Sequence, residues 1–189
     1  DAVRQWFVEY LRWMTTSPKG LEEKKSGNNH STWWAVQVAA YSIYVGDEAT
    51  QSMVWDFYRD SLLPSQFKPD GSAPREEART RSLSYSAMNL NGFSLLCHLA
   101  ERRGANLWDV RAPTGVSMLQ AVAYLAPFVS RPQIWRHQQI TPYSPGGAYF
   151  LGVFGRGLHR PEHIDLYRKI ATTGGTWPDL LALLLLQSP

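Results

Sequence analysis

Apolar residues recur at helical spacing along almost the whole chain, and this periodicity is the feature that most constrains its fold. Spacings of three and four residues place side chains on one side of an α-helix, whereas the alternation typical of strands is nearly absent. The first such face consists of Val3, Trp6, Phe7, Tyr10, Leu11 and Met14. The pattern predicts an all-α protein of stacked helical hairpins, forming one domain over residues 1–189.

Turn-rich connectors divide the rest of the chain into further helices. We expect helices over about residues 48–62, 75–103 and 116–129, with Gly104 ending the second of them, and shorter helices beyond. At the other end, Asp1 leads into a helical face without a capping residue. We interpret that abrupt start as a cut in a longer chain.

Composition describes a folded domain in water. Of 189 residues, 44% are hydrophobic and 19% are charged, and the longest apolar run, LLALLLL, is too short to span a membrane. Cys97 is the single cysteine and lies in an apolar run, so we expect a buried, unreactive thiol. A net charge of +3 without a run of like charges favours acidic partners only weakly. We predict neither a nucleic-acid nor a membrane partner.

The first polar motif, NNHS, opens a predicted helix with Asn28, Asn29 and His30. An amide beside an imidazole can hydrogen-bond a carboxylate, so that its charge no longer opposes loss of a proton from the neighbouring carbon. Uronic-acid polymers pose this problem. Two plainer interpretations stay open. One asparagine can simply cap the helix, with His30 partly exposed in the first turn. The triplet from Asn29 to Ser31 also matches the glycosylation acceptor pattern of exposed loops.

The second motif, EEARTRSLSYSAMNLNGF, carries Arg81 and Tyr85 four positions apart, which predicts that they share one face of a helix. A phenol beside a guanidinium is suited to giving or taking a proton. The alternative is a core tyrosine, its hydroxyl tied to a neighbour, below a solvated arginine face.

The third motif, IWRHQQITPYSPGGAYF, places Trp135, His137, Gln138 and Tyr143 in a loop. Aromatic rings stack on pyranose faces and amides bind sugar hydroxyls, so this composition suits a sugar-binding groove. Most of the eight tryptophans should nevertheless belong to the core.

Three other patterns do not indicate a site. His159 and His163 are four apart, but Pro161 should begin a helix and leave His159 outside it, which argues against a zinc pair. The glycines of GVFGRG follow no predicted strand and precede no Lys-Ser/Thr pair, unlike a phosphate-binding loop. Ser31 has no elbow or ordered triad beside His30 and is better interpreted as a capping residue.

Together these motifs resemble the alginate lyase family of polysaccharide lyases, including the related glucuronan-type enzymes. KSGNNHSTWWAVQVAAYSIYVGD is similar to the family's Asn-Asn-His-(Ser/Gly)-x-Trp motif, and EEARTRSLSYSAMNLNGFSLLCHLAERRGANLW to its Arg-and-Tyr helix. QQITPYSPGGAYF resembles, more weakly, a later segment that lines the groove. The resemblance implies an (α/α) toroid that cleaves a uronate-containing polymer, such as alginate or glucuronan, by β-elimination without a metal or organic cofactor.

The resemblance also implies roles for individual residues. Asn29 and His30 neutralise the substrate carboxylate and Tyr85 transfers the proton. The family's arginine lies about two helical turns before the tyrosine, where this chain has Ala78. We assign its role to Arg81, which is predicted to share the face of Tyr85, with Arg79 as second choice. Residues expected to bind substrate are Trp33, Trp34, Arg79, His137, Gln138 and Tyr143.

The family's toroid is larger than this chain, so the resemblance implies an incomplete toroid, its C-terminal half. Half a toroid would expose apolar surface, and we expect a second polypeptide to supply the N-terminal half. The expected ligand is an acidic polysaccharide or oligosaccharide, and the expected location is secreted or periplasmic, because such polymers lie outside cells. The alternative function is a non-catalytic carbohydrate-binding or interaction protein derived from a lyase.

Overall fold

A computed structural model gives the fold and describes residues 2–173. The chain start at Asp1 and the LLALLLL run lie outside the described residues. Within them the chain is helical, and its β-structure consists of two isolated bridges, Arg81 with Gln139 and Arg111 with Ser117. The helices are α1 (Ala2–Thr16), α2 (Pro18–Lys25), α3 (Asn29–Val45), α4 (Glu48–Phe57), α5 (Leu63–Gln66), α6 (Pro74–Glu77), α7 (Ser82–Glu101), α8 (Met118–Ser130), α9 (Phe150–Gly157) and α10 (Pro161–Thr173). None of these described helices is both long enough and apolar enough to cross a membrane.

Helices α3 and α7 form the centre of the fold. Helices α1, α2 and α4 pack on α3, while α9 packs on α7 and α10 on α9, which gives the predicted arrangement of helical hairpins. The two central helices approach closely at Gly92, where an added Cβ would lie 2.7 Å from Cγ2 of Thr32. Only glycine leaves room for this contact.

A closed ring of buried side chains fixes the start of α3 against α7. Thr32 Oγ1 donates to Asn89 Oδ1 (2.7 Å), Asn89 Nδ2 donates to Gln66 Oε1 (2.8 Å), and Gln66 Nε2 donates to Thr32 Oγ1 (2.9 Å). Gln66 Nε2 also lies 3.0 Å from the backbone carbonyl oxygen of Asn28. Because buried polar groups without partners are costly, this ring favours one relative position of the two helices.

Local signals explain the bounds of α3 and α4. Asn28 caps α3 by accepting a hydrogen bond from the backbone N–H of His30 (3.0 Å). Gly46, at φ 76°, ends α3 in the left-handed conformation, and Asp47 caps α4 through the N–H of Thr50. The expected helix over residues 48–62 is confirmed, with α4 passing into a π-helical turn at Tyr58–Leu62.

The single helix expected over residues 75–103 is wrong. The chain forms α6, turns at residues 78–81, and begins α7 at Ser82. Distant backbone groups satisfy the polar groups of this turn: the Ile140 N–H donates to the Thr80 carbonyl (3.0 Å) and the Ser82 N–H donates to the Gln138 carbonyl (3.1 Å). Hydrogen bonds from another segment therefore replace those that a continuous helix would make.

Other expectations are confirmed. Cys97 is fully buried beside the Tyr58 hydroxyl, and burial raises its pKa to about 12, as expected for an unreactive thiol. Helix α8 occupies the region expected near residues 116–129. Pro161 begins α10 and leaves His159 outside the helix, at φ 53°.

Candidate active site at the start of α3 and α7

A buried carboxylate, Glu76, joins the first two sequence motifs. The backbone N–H of Asn29 donates to its Oε1, and the Asn29 amide nitrogen lies 3.0 Å from Oε1 and 2.9 Å from Oε2. Glu76 is 1% exposed and Asn29 is 4% exposed. Helix α6 thus presents its acid directly to the first residue of α3.

The side chains of Arg79 and His30 lie within electrostatic range of this acid. Burial raises the pKa of the Glu76 carboxyl, opposed by the hydrogen bonds from Asn29 and by the charges of Arg79 and His30. His30 is exposed, and its Nδ1 lies 2.7 Å from Oε2 of Glu23. An acid, an amide, an imidazole and a guanidinium therefore gather around the start of α3.

These contacts decide between the interpretations left open for the first motif. Asn28 is the helix cap, which leaves the Asn29 side chain for Glu76. The glycosylation alternative needs an exposed acceptor, and burial of Asn29 excludes it in the folded protein. The amide nitrogen of Asn29 contacts Glu76, and the direct contact of Asn29 with a substrate carboxylate stays a prediction.

Arg79, the second choice in the sequence analysis, contacts Tyr85. Its guanidinium carbon lies 4.1 Å from the centre of the tyrosine ring, in a cation–π arrangement. The expectation that Arg81 shares a helical face with Tyr85 is wrong, because α7 begins after Arg81, whose backbone instead pairs with Gln139. Tyr85 itself is half-buried. We call Asn29, His30, Glu76, Arg79 and Tyr85 the Glu76 cluster.

A cavity of about 350 Å³ lies beside His30. Its lining residues are Tyr10, Trp13, Met14, Gly20, Glu23, Asn29, His30, Trp33, Trp34 and Gln37.

The sequence analysis assigned Tyr10 only to a packing face and did not single out Trp13. Both belong to an aromatic row on α1, in which Tyr10 stacks on Trp6 at 5.1 Å and on Trp13 at 5.7 Å. Trp6 and Trp13 are 55% and 48% exposed. The sequence shows the helical spacing of these aromatic residues, but their exposure, which marks them as a possible contact surface, is known only from the structure.

Of the two adjacent tryptophans predicted to bind substrate, Trp33 is partly exposed and Trp34 is a core residue. Trp34 is 3% exposed, its Nε1 donates to the Met14 carbonyl (3.1 Å), and its ring packs edge-on against Phe57. A ring in that position exposes little surface to a sugar, and the substrate-binding role of Trp34 stays a prediction.

The loop 131–143 packs on the first turn of α7. Its predicted ligands His137 and Gln138 have exposed side chains, and Nε2 of His137 lies 3.8 Å from Oε2 of Glu77. The sequence analysis missed Gln139, whose Oε1 accepts hydrogen bonds from the N–H groups of Leu83 (3.0 Å) and Ser84 (3.4 Å). Gln139 therefore caps a helix that has no cap of its own.

The hydroxyl of Tyr143 points away from solvent. It is buried, has no hydrogen-bond partner among the described residues, and has a pKa raised by burial. A hydroxyl in this position is not presented to a sugar, so any contact of Tyr143 with substrate would be made by its ring, and that contact stays a prediction.

The fold and these contacts place the chain in a known class. The family model described as alginate lyase matches residues 1–135, and the chain belongs to the alginate lyase family. Its helical architecture is that of the (α/α) toroid fold class. No protein of curated function matches the chain.

One solved structure shows how far the similarity extends. The chain is similar to the crystal structure of an alginate lyase from Bacteroides ovatus, with a TM-score of 0.87 and 27% sequence identity. The match covers 98% of this chain and 49% of that structure. The chain therefore spans about half the length of the relative that it matches.

Proposed function

We propose that the protein is a polysaccharide lyase, or the part of one that carries its proton-transfer residues, and that it cleaves a uronate-containing polymer by β-elimination. The Glu76 cluster is the observation that carries this proposal. It brings an imidazole, a guanidinium and a phenol from separate motifs into one connected group, in a chain of the alginate lyase family.

In the proposed reaction, His30 and Arg79 hold the carboxylate of the sugar that loses its proton. Tyr85 or His30 takes the proton from C5, the C4–C5 double bond forms, and the C4–O bond breaks. Tyr85 donates a proton to the departing oxygen. Positive and donor groups at the carboxylate stabilise the charge that develops when the C5–H bond breaks.

Asn29 acts through Glu76 in this proposal. Its amide holds the carboxylate of Glu76, and Glu76 faces the charges of Arg79 and His30. The acid can thereby keep both side chains in place for the substrate. Asn29 and Glu76 are thus positioning residues, which modifies the direct contact first expected for Asn29.

The chemistry of the site favours an acidic polysaccharide of the alginate or glucuronan type. Tyr10, Trp13 and Trp33 line the cavity beside His30, where rings can stack on pyranose faces. Because the chain matches about half of its relative, we also propose that the other half of the toroid completes the fold. A secreted or periplasmic location would give the enzyme access to such polymers.

Product absorbance tests the proposal. The purified protein, alone and with the other half of its toroid, is incubated with alginate, glucuronan and other polyuronides, and the ultraviolet band of the unsaturated uronate is followed. We expect turnover with at least one polymer, and we expect Tyr85→Phe to lower it by a factor on the order of a thousand while oligosaccharide affinity changes little. Sugar binding without turnover by the unmodified protein would instead favour the non-catalytic carbohydrate-binding function.

A further inference from the structure

A second cavity, of about 420 Å³, lies between α2 and the segment from the end of α4 to α6. It has no lining residue in common with the cavity beside His30. Three of its lining residues are cations, namely Lys24, Lys25 and Arg75, and none is an acid.

These cations have no carboxylate partner among the described residues. The ion pairs of the described chain involve other basic groups. Lys24 Nζ instead lies over the rings of Trp34 (5.2 Å) and Phe57 (4.8 Å), contacts that leave its charge uncompensated. Lysines often end a helix because they interact favourably with its dipole, but Arg75 comes from another helix and faces the same cavity.

The backbone is shaped to hold Arg75 at this cavity. Its Nη1 donates to the carbonyl of Ser26 (2.7 Å), directly before Gly27. Gly27 has φ 66°, and an added Cβ there would lie 2.7 Å from the same Nη1. The glycine therefore permits the turn and makes room for the guanidinium, whose remaining N–H groups can bind an anion.

Hydroxyl groups complete the lining. Ser61 lies in the π-helical turn and Ser65 in α5, and both line the cavity together with Phe57. π-helical turns occur frequently at functional sites. Cations, hydroxyls and one aromatic ring are the groups that bind a carboxylated sugar.

We propose that this cavity is a second binding site for an acidic saccharide, with Lys25 and Arg75 binding its carboxylate. The proposal deepens the proposed function, on which its choice of ligand rests. A second site would hold a polyuronate chain on the protein in addition to the Glu76 cluster, and it would act on affinity without touching the reacting atoms.

Calorimetric titration with a mannuronate hexamer at low ionic strength tests the site, in the Tyr85→Phe background to prevent cleavage. We expect the double variant Lys25→Ala/Arg75→Ala to bind about tenfold more weakly than the matched control Lys68→Ala/Arg102→Ala, which also removes two exposed charges. Lys25→Glu alone, which keeps the contact between Arg75 and Ser26, should weaken binding at least as much. The Gly27 amide signal in NMR spectra should shift on addition of hexamer.

Equal affinity of both double variants, or of Lys25→Glu and the unmodified background, overturns the proposal. So does sulfate that binds as tightly as the hexamer, since that result marks a general anion site. The proposed function fails separately, because absence of turnover in the unmodified protein leaves the difference in affinity between the double variants measurable.

Discussion

The Glu76 cluster and the loop 131–143 both lie at the start of α7, but they are held in different ways. In the cluster the bonds run between side chains, and Asn29 and Glu76 are almost completely buried. In the loop the side chains of His137 and Gln138 are exposed. The segment is held by backbone bonds, by the amide of Gln139 and by Trp135, whose Nε1 donates to Ser82 Oγ (2.7 Å).

The difference predicts different sensitivity to substitution. A buried polar group that loses its partner pays its full desolvation cost, and changes in one connected group are not additive. An exposed side chain on a backbone-held loop can be removed with little effect on its neighbours. We therefore expect large, coupled effects in the cluster and small, independent effects in the loop, except at Trp135 and Gln139.

The largest expected effect separates the two arginines. Arg79→Ala removes the guanidinium above Tyr85 and should lower kcat/KM by about a hundredfold or more, the scale of losing one donor that stabilises developing charge. Arg81→Ala removes an exposed side chain whose backbone makes the contact to Gln139, so it should change kcat/KM by less than about threefold. Initial rates of unsaturated-uronate formation measure both. A larger loss for Arg81 would restore the assignment made from sequence.

The next effect concerns stability. Glu76→Gln turns a hydrogen-bond donor toward the Asn29 amide, so it should lower the free energy of unfolding by about 1–3 kcal/mol at neutral pH. Glu48→Gln, at an exposed acid, serves as the control and should change it by less than about 0.5 kcal/mol. Denaturant titrations followed by circular dichroism measure both values.

Glu76→Gln also tests how the free energy of unfolding depends on pH. Burial raises the pKa of Glu76 above its ordinary value of 4.5, so the folded state binds a proton more tightly than the unfolded state. The stabilising contribution of that proton is complete below pH 4.5 and is lost as pH rises through the folded-state pKa. Glu76→Gln has no carboxyl group at this position, so its free energy of unfolding should lack this decrease with rising pH. The opposite result would be a contribution of Glu76 to stability that grows as pH rises from 4.5. It would show that the hydrogen bonds from Asn29 lower the pKa of Glu76 more than burial raises it.

Features that depend on neighbouring residues could be predicted from the sequence. The helical class followed from periodicity, and the start of α3 from its pair of asparagines, because a cap acts within one turn. The burial of Cys97 followed from its apolar run. The family resemblance implied that the first two motifs belong to one site. The contacts of Glu76 with Asn29 show how the two motifs meet.

Features that depend on distant contacts could not be predicted. The break before α7 is stabilised by Gln138 and Gln139, more than fifty residues away, and Glu76 meets Asn29 across 47 positions. A helical pattern places adjacent residues such as Trp33 and Trp34 on different sides, but it does not say which side is buried. Spacing alone, without those contacts, places Arg81 on the same helix as Tyr85.

A smaller effect tests the loop. Gln139→Ala removes the cap on the Leu83 and Ser84 N–H groups and should lower the free energy of unfolding by about 1 kcal/mol. Gln138→Ala is a matched neighbour whose carbonyl, not its side chain, makes the contacts to Ser82, so it should change stability by less than about 0.5 kcal/mol. Thermal or denaturant unfolding compares them. Equal losses would mean that the loop is not held through Gln139.

The smallest effect is expected at Tyr143, where Tyr143→Phe removes one oxygen. Because this hydroxyl is buried without a partner among the described residues, its removal should leave the free energy of unfolding unchanged or raise it by up to about 1 kcal/mol. Hexamer affinity should stay within about twofold. Denaturant unfolding and calorimetry on the same preparation measure the two quantities. A fivefold or greater loss of affinity at unchanged stability would show that the hydroxyl reaches the sugar, and the loop would then contribute a ligand that its burial argues against.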